Sequence, residues 1–572
     1  MATANSAVSF QGLSTGLQTD ALVNAILAQE GKSVEALQAR QTRNIAKTTA
    51  LNAMKSSMNS LSISLAALQD KFNARTVTST DSNNTNVTAT ATGAAAGSYD
   101  LTVATVATKG RISSTMVGGV PQNLAVADPA AAIFSSGKAS FAVRGTDGVL
   151  KTFELTNNSL NGLRDAINAS GAGVSAAVIN TGAGANPYQL VVTAKDTGTG
   201  TTGGVVTLAA IANEDATATT VDPALGITSG TIAGPFSAPS DLTGGLQSGA
   251  SETAKDAVFT LNGIQLTRKT NVVTDAADGV TFTLKQGGQT GTTTLTVAQD
   301  KATAAAGMQD VITKFNALLK VYKDASTSTK DSNGTILPAA LAGDASSRAI
   351  ISQIRSTLTG ASAGLPGTSA YSSPAGLGVY TLADGTLSLN TSTFQAAIEK
   401  DPAAAKRLFT FSGNSNNGVL AFQSGGAKTA TGSVGFTINS YTAGGPVSGT
   451  FTGTANGPIT LTGTNGTLVG GIGTDLEGLT VSVTAIGSGT LTLSRGAGQA
   501  TRDLISKLTA SGSGSLATAL TAIDTQNRTL TTQIDAGQSA LDRRKKVLQA
   551  QFSKMEVAIA QMKAAGGSLT TL

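Results

Sequence analysis

A chain of 572 residues that is 40% hydrophobic has room for about three to four domains, yet it contains no cysteine, histidine or tryptophan. Disulfides, Cys or His metal sites and imidazole acid–base chemistry are therefore excluded, and a glycosidase-type carboxylate pair is disfavoured by 4% aromatic residues and no acidic cluster. A net charge of +5 is mild when 13% of residues are charged, and the one dense run, Arg543 to Lys546, has no interleaved aromatics, which argues for a solvated helix face and against nucleic-acid binding.

The first distinctive stretch is "SFQGLSTGLQTDALVNAILAQE", Ser9 to Glu30. No basic region precedes it, and Gln18, Thr19, Asp20 and Asn24 interrupt its apolar residues, so it does not read as a secretory signal. Its apolar positions are too broken for an independent helix, which predicts a segment that stays disordered until it meets a partner. No run approaches eighteen apolar residues, so no membrane insertion is expected. From Leu51 the apolar residues Leu51, Met54, Met58, Leu61, Leu65, Leu68 and Phe72 alternate steps of three and four, a heptad seam. Upstream, the same register meets Leu37, Arg40, Asn44 and Lys47 and becomes polar, which predicts looser pairing there.

Alternating strands follow, in "NVTATATGAAAGSYDLTVATVATKG", "ASFAVRGTDGVLKTFEL", "YQLVVTAKDTG", "DAVFTLNGIQLTRKTNVV" and "DGVTFTLKQ". A helical stripe then runs through Met308, Val311, Ile312, Phe315, Leu318, Leu319 and Tyr322. Asp344 is a candidate N-cap for a helix carrying Ile350, Ile351, Ile354 and Leu358. A helix is predicted over Thr391 to Ile398, and Asp401 with Pro402 opens another. The block Gly413 to Arg495 is low in charge and dense in Thr-Gly, and reads as an inserted set of strands. The chain closes on a second amphipathic helix through Leu520, Ile523, Asn527, Leu530, Ile534 and Leu541, resuming after a stutter at Leu548, Phe552, Met555, Ile559 and Met562. Neither terminal helix buries its stripe alone, so the two are expected to pack on each other. The order helix, strands, helices, strands, helix predicts an α+β multidomain protein, with terminal helices in a coiled-coil-like stem and β-rich domains inserted between them.

Several of these stretches, in this order, resemble the flagellar filament cap protein family, also called hook-associated protein 2. The resemblance rests on a Gly-Leu-x-x-Gly-Leu turn at Gly12, Leu13, Gly16 and Leu17, running into Leu22, Val23 and Ile26. It continues in "GSYDLTVATVATKG", in "SLNGLRDAINASGAGVSAAVI", in "DAVFTLNGIQLTRKTNVVTDAADGVTFTLK" and in "GLGVYTLADGTLSLNTSTFQAAIEKDPAAAKRLF". The end "QFSKMEVAIAQMKAAGGSLTTL" matches through Phe552, Met555, Met562 and Leu569. The Thr-Gly block is the departure, longer than the family pattern needs.

The resemblance implies a division into a docking segment 1–35, disordered when free; a helical stem of 36–75 with 301–411 and 500–563; and a plate domain of 76–108 with 246–300. It also implies an outer domain 109–245 with the hook-associated motif, an additional β domain 412–499 and a docking tail 564–572. It implies a non-enzymatic assembly factor without cofactors, extracellular at the flagellum tip and exported without a cleavable signal peptide. There it would cap the filament as a homo-oligomeric ring, pentameric in the family, and promote flagellin insertion and folding. Flagellin, hook–filament junction subunits, an export chaperone and a host-surface receptor are the implied partners. Docking to filament or hook is assigned to Leu13, Leu17, Leu22, Ile26, Met562 and Leu569. Stem packing is assigned to Leu51, Met54, Met58, Leu61, Leu65, Leu68, Phe72, Leu530, Ile534, Leu541, Leu548, Phe552 and Met555. Two other readings share the features: a filament or hook–filament junction subunit, which would grow open-ended fibres, and a surface adhesin using the Thr-Gly modules.

Overall fold

A proline-free run from Thr19 to Asn73 forms one helix, and a second runs from Ser515 to Leu569, each 55 residues and about 80 Å long. The computed structural model describes residues 18–113, 115–117, 120–122, 125–133, 140–211, 230–233, 241–244, 246–247, 252–365 and 369–569. In chain order the helices are α1 (Thr19–Asn73), α2 (Leu160–Ala169), α3 (Lys301–Ser326), α4 (Ala345–Thr359), α5 (Thr391–Lys400), α6 (Pro402–Arg407), α7 (Ala497–Thr509) and α8 (Ser515–Leu569). Among the described residues, no helix is long and apolar enough to cross a membrane.

Two compact units share the chain. One is made of the residues up to Phe72 and from Lys301 onward, the other of Asn73–Asp300. This division is coarser than the six segments read from the sequence, because it keeps the Thr-Gly block with the helices.

Two main cores are found among the described residues of the Asn73–Asp300 unit. A five-stranded antiparallel sheet, in the order Arg75–Ser79, Thr293–Gln299, Gly97–Thr105, Ala257–Leu261, Ile264–Arg268, shares a core with a three-stranded sheet of Val272–Ala277, Val280–Leu284 and Val87–Ala91. Leu101, Val103, Phe259, Phe282 and Val297 alternate inward to fill it. The second core is built on α2, whose N-cap Ser159 accepts a hydrogen bond from the Gly162 backbone N–H at 3.0 Å. Leu160, Leu163 and Ile167 of α2 share a core with Val174, Leu190 and Val192 of the strands that follow.

In the other unit, Leu51 to Phe72 of α1, α3, α4, α5, α7 and the start of α8 converge on one cluster. The caps are local and built by the sequence: Asp344 accepts from the Ser347 N–H at 2.8 Å, Asn390 from Thr393 at 3.0 Å and Asp401 from Ala404 at 2.8 Å. Pro402 takes the first position of α6, where its missing N–H costs nothing.

Between α6 and α7 the Thr-Gly block folds into eight antiparallel strands: β1 (Phe411–Ser415), β2 (Leu420–Ser424), β3 (Gly432–Tyr441), β4 (Val447–Thr452), β5 (Ile459–Thr464), β6 (Thr467–Val469), β7 (Thr480–Val483) and β8 (Gly487–Arg495). Their order is β1-β8-β3-β4-β5-β6-β7-β2. The end strands β1 and β2 are successive in the chain and lie side by side, with the rings of Phe411 and Phe422 stacked 5.8 Å apart. The sheet thus curls round a core of its own that includes Val434, Phe436, Phe451, Leu468, Val481 and Leu491. Arg495 ties this barrel to α7. Its guanidinium pairs with Asp503, donates to the carbonyls of Gly426 at 3.2 Å and Thr429 at 2.7 Å, and lies 5.1 Å from the centre of the Phe411 ring.

The structure corrects the expectation of free terminal segments wherever they are described. Residues 19–35 are the opening turns of α1, and 564–569 continue α8. The physical reason for the first is a partner the local sequence does not show: Val23 and Val34 are buried in a helix pair described next. Leu13 and Leu17, with the rest of 1–17 and 570–572, lie outside the described residues.

Candidate functional site

Among the described residues no group of acidic side chains is placed to hold a metal ion, and the candidate site is a surface-forming element, the antiparallel pair of α1 and α8. The contacts fix its register. Arg544 Nε lies 3.3 Å from Glu30 Oε1, and Leu541 Cδ1 would be 3.6 Å from a Cβ on Gly31. A Cβ on Gly537 would meet Val34 Cγ2 at 2.7 Å, Gln41 Nε2 donates to Thr531 Oγ1 at 2.7 Å, and Asn44 Nδ2 donates to Gln526 Oε1 at 3.5 Å. Residues climbing α1 therefore meet residues descending α8, and the same progression brings Leu548 level with Val23.

This pairing divides the predicted stem residues between two surroundings within the helical unit. Leu51, Met54, Met58, Leu61, Leu65, Leu68 and Phe72 are all buried, but their cluster is formed with Met308, Phe315, Ile354, Ile505 and other residues of α3–α7, joined on α8 by Leu516 and Ile523. Leu530, Ile534 and Leu548 are buried, while Leu541, Phe552 and Met555 are half-buried. The register contacts set Leu530 to Leu548 against the first half of α1, the part whose seam is polar. A heptad stripe tells which face of a helix is covered, not what covers it.

The polar stretch of the seam also shifts from its predicted register. Arg40 is exposed and Gln41 takes the inner position, where its amide reaches Thr531. Lys47 is half-buried and pairs with Asp344 at 2.6 Å. Burial raises the Asp344 carboxyl, but the Lys47 ammonium and the Ser347 N–H outweigh it and hold the group below its ordinary value. Among the docking residues, Leu22 is 46% and Met562 65% exposed, Ile26 is half-buried, and Leu569 is the last residue of α8. Sequence reasoning missed Gly31 and Gly537. Glycine inside a helix costs about 1 kcal/mol, and here each faces the partner helix, Gly31 toward Leu541 and Gly537 toward Val34. Their signal was in the sequence, as lone glycines in otherwise strong helical patterns.

The same two ends of the chain carry its likeness to known proteins. A model of the flagellar hook-associated protein 2 C-terminus matches residues 254–564, and one of the N-terminus matches 15–110. The B-type flagellar hook-associated protein 2 of Pseudomonas aeruginosa is 30% identical over 408 residues, covering 68% of this chain and 78% of that protein. The chain belongs to the flagellar hook-associated protein 2 family. The flagellar hook-associated protein 2 of Escherichia coli K12 is 28% identical over 457 residues, covering 76% of this chain and 89% of its own. A solved structure of three domains of the flagellar cap protein FliD from Escherichia coli aligns at 28% identity over 63% of this chain and 89% of that one, with a TM-score of 0.45. The N-terminal match spans α1, and the C-terminal match runs through most of α8. The α2 core falls in the interval between them, and the barrel lies within the C-terminal match.

Proposed function

We propose that this protein is the structural subunit that caps the tip of the flagellar filament and promotes insertion and folding of flagellin as the filament grows. Membership of the flagellar hook-associated protein 2 family at both ends of the chain carries this reading, and it favours a cap over a hook–filament junction subunit or a dedicated adhesin. The work is assembly, with no covalent chemistry. The α1–α8 pair serves as the leg, and residues 76–108 with 246–300 supply the plate. Leu13, Leu17, Leu22, Ile26, Met562 and Leu569 dock on filament or hook subunits.

In this reading the chain leaves the cell through the flagellar export channel with an export chaperone, forms a pentameric ring at the tip, and presents its outer β modules to a host-surface receptor. The test has two parts. In a strain lacking its own cap, expression of the chain restores filaments. In solution, light scattering of the purified chain gives closed rings of a few subunits. Open-ended growth would instead make it a filament-type subunit, and failure to restore filaments would remove the cap reading.

A further inference from the structure

One cavity of the helical unit is lined by α6, the barrel and Gln69 of α1. It encloses about 560 Å3, within the usual range of small-molecule sites. Lys406 and Arg407 of α6 line it together with Ser412, Asn414, Thr492 and Ser494. The ladder explains why those four point there. Ser412 pairs with Ser494 and Asn414 with Thr492, alternating with Gly413 opposite Leu493 and Ser415 opposite Leu491. Leu491 and Leu493 are fully buried in the barrel core, so the alternate residues stand on the outer face.

Two observations give the cavity a chemical character. Its lining includes two cations and, among the described residues, neither Asp nor Glu. The remaining wall is dense in neutral hydroxyl and amide groups, completed by the stacked rings of Phe411 and Phe422. A guanidinium selects a planar oxyanion, whereas a field of hydroxyls and amides rewards a ligand with several hydroxyls of its own.

We propose that this cavity binds an acidic sugar, a uronic-acid unit whose carboxylate meets Arg407 and whose ring hydroxyls meet Ser412, Asn414 and Thr492. The site rests on the barrel and α6 and is independent of the capping role.

The experiment titrates the full-length protein with sodium glucuronate, glucose and inorganic phosphate by calorimetry. The variants are Arg407→Gln, which removes the oxyanion donor, and Asn414→Asp, which sets a like charge in the cavity without changing side-chain shape. Asn414 is exposed, so its variant keeps the wild-type melting curve even if Arg407→Gln does not fold. Saturable one-to-one binding of glucuronate is expected, with glucose and the Asn414→Asp protein each weaker by about tenfold or more, as loss of one charged contact implies. No saturable glucuronate binding, or binding unchanged in Asn414→Asp, overturns the proposal. Phosphate binding as tightly as glucuronate would reduce the site to a simple oxyanion hole and overturn the sugar assignment.

Discussion

Gly537 is the most exacting test of the helix pair, because two physical effects of one methyl group oppose each other there. In an isolated helix, Gly537→Ala would stabilise by about 1 kcal/mol. In this register the new Cβ lies 2.7 Å from Val34 Cγ2, and a β-branched side chain has little room to turn away. Overpacking of this kind costs about 1–3 kcal/mol, so the net effect is a loss of up to about 2 kcal/mol, confined to the pair. The full chain has several cooperative units, and a global melting curve would blur the effect. Amide hydrogen exchange resolves it: protection across Val23–Asn44 and Gln526–Leu548 should fall by up to about thirtyfold, while Met308–Leu319 of α3 is unchanged. Adding Val34→Ala opens the contact, and in that background Gly537→Ala should become stabilising. If Gly537→Ala raises protection in the presence of Val34, the close approach is wrong, and with it the register.

The remaining predictions address the core, the barrel and pH. Leu61, fully buried among α3–α7, should cost about 2–5 kcal/mol on replacement by alanine, read as a lower melting temperature; lost capping with an unchanged melting curve would place Leu61 at a partner surface instead. Arg495→Ala strips charged donors from the Gly426 and Thr429 carbonyls and should cost about 1.5–3 kcal/mol, seen as faster exchange in β1 and β8 before α3 is affected. The lowered carboxyl of Asp344 stabilises the fold above its unfolded value of 3.8, and that contribution disappears as pH falls below 3.8 and through the folded value. Asp344→Asn keeps a competent N-cap and should flatten this part of the acid-stability profile, while the neutral-pH loss stays within about 1 kcal/mol for a partly exposed pair. Within α1, amides of Leu51–Leu68 should exchange more slowly than those of Val23–Gln41, since the former lie in the unit's main core and the latter face α8 alone.

What the sequence disclosed about this protein was whatever is decided within one turn or one alternation. Asp344 and Asp401 cap as their spacing suggested, Pro402 opens α6, and α8 runs unbroken through the register shift between Leu541 and Leu548. The Thr-Gly block alternates as strands should, although nothing in it announced that β1 and β2 would come together and curl the sheet. The partners of the terminal helices were illegible for a related reason. Periodicity assigned Leu51–Phe72 a buried face, but α3–α7 cover it, and that depends on contacts more than two hundred residues away along the chain. The start of α1 was missed because a segment too interrupted to fold alone gains its stability from Leu530–Leu548 at the opposite end. The proposed docking residues are the least legible part of the site, since exposure at positions such as Leu22 and Met562 does not say what would cover them.

The barrel's connection to the helices has a consequence for how chains of this kind change in length. Phe411 and Arg495, its first and last strand residues, are directly paired in the sheet, so its two ends leave the helical unit about 5 Å apart. A gap of that width is spanned by the short turn that commonly joins neighbouring elements. The eighty-odd residues between them are therefore a cassette: α6 and α7 can keep their places whether it is present, exchanged for another domain with neighbouring ends, or absent altogether.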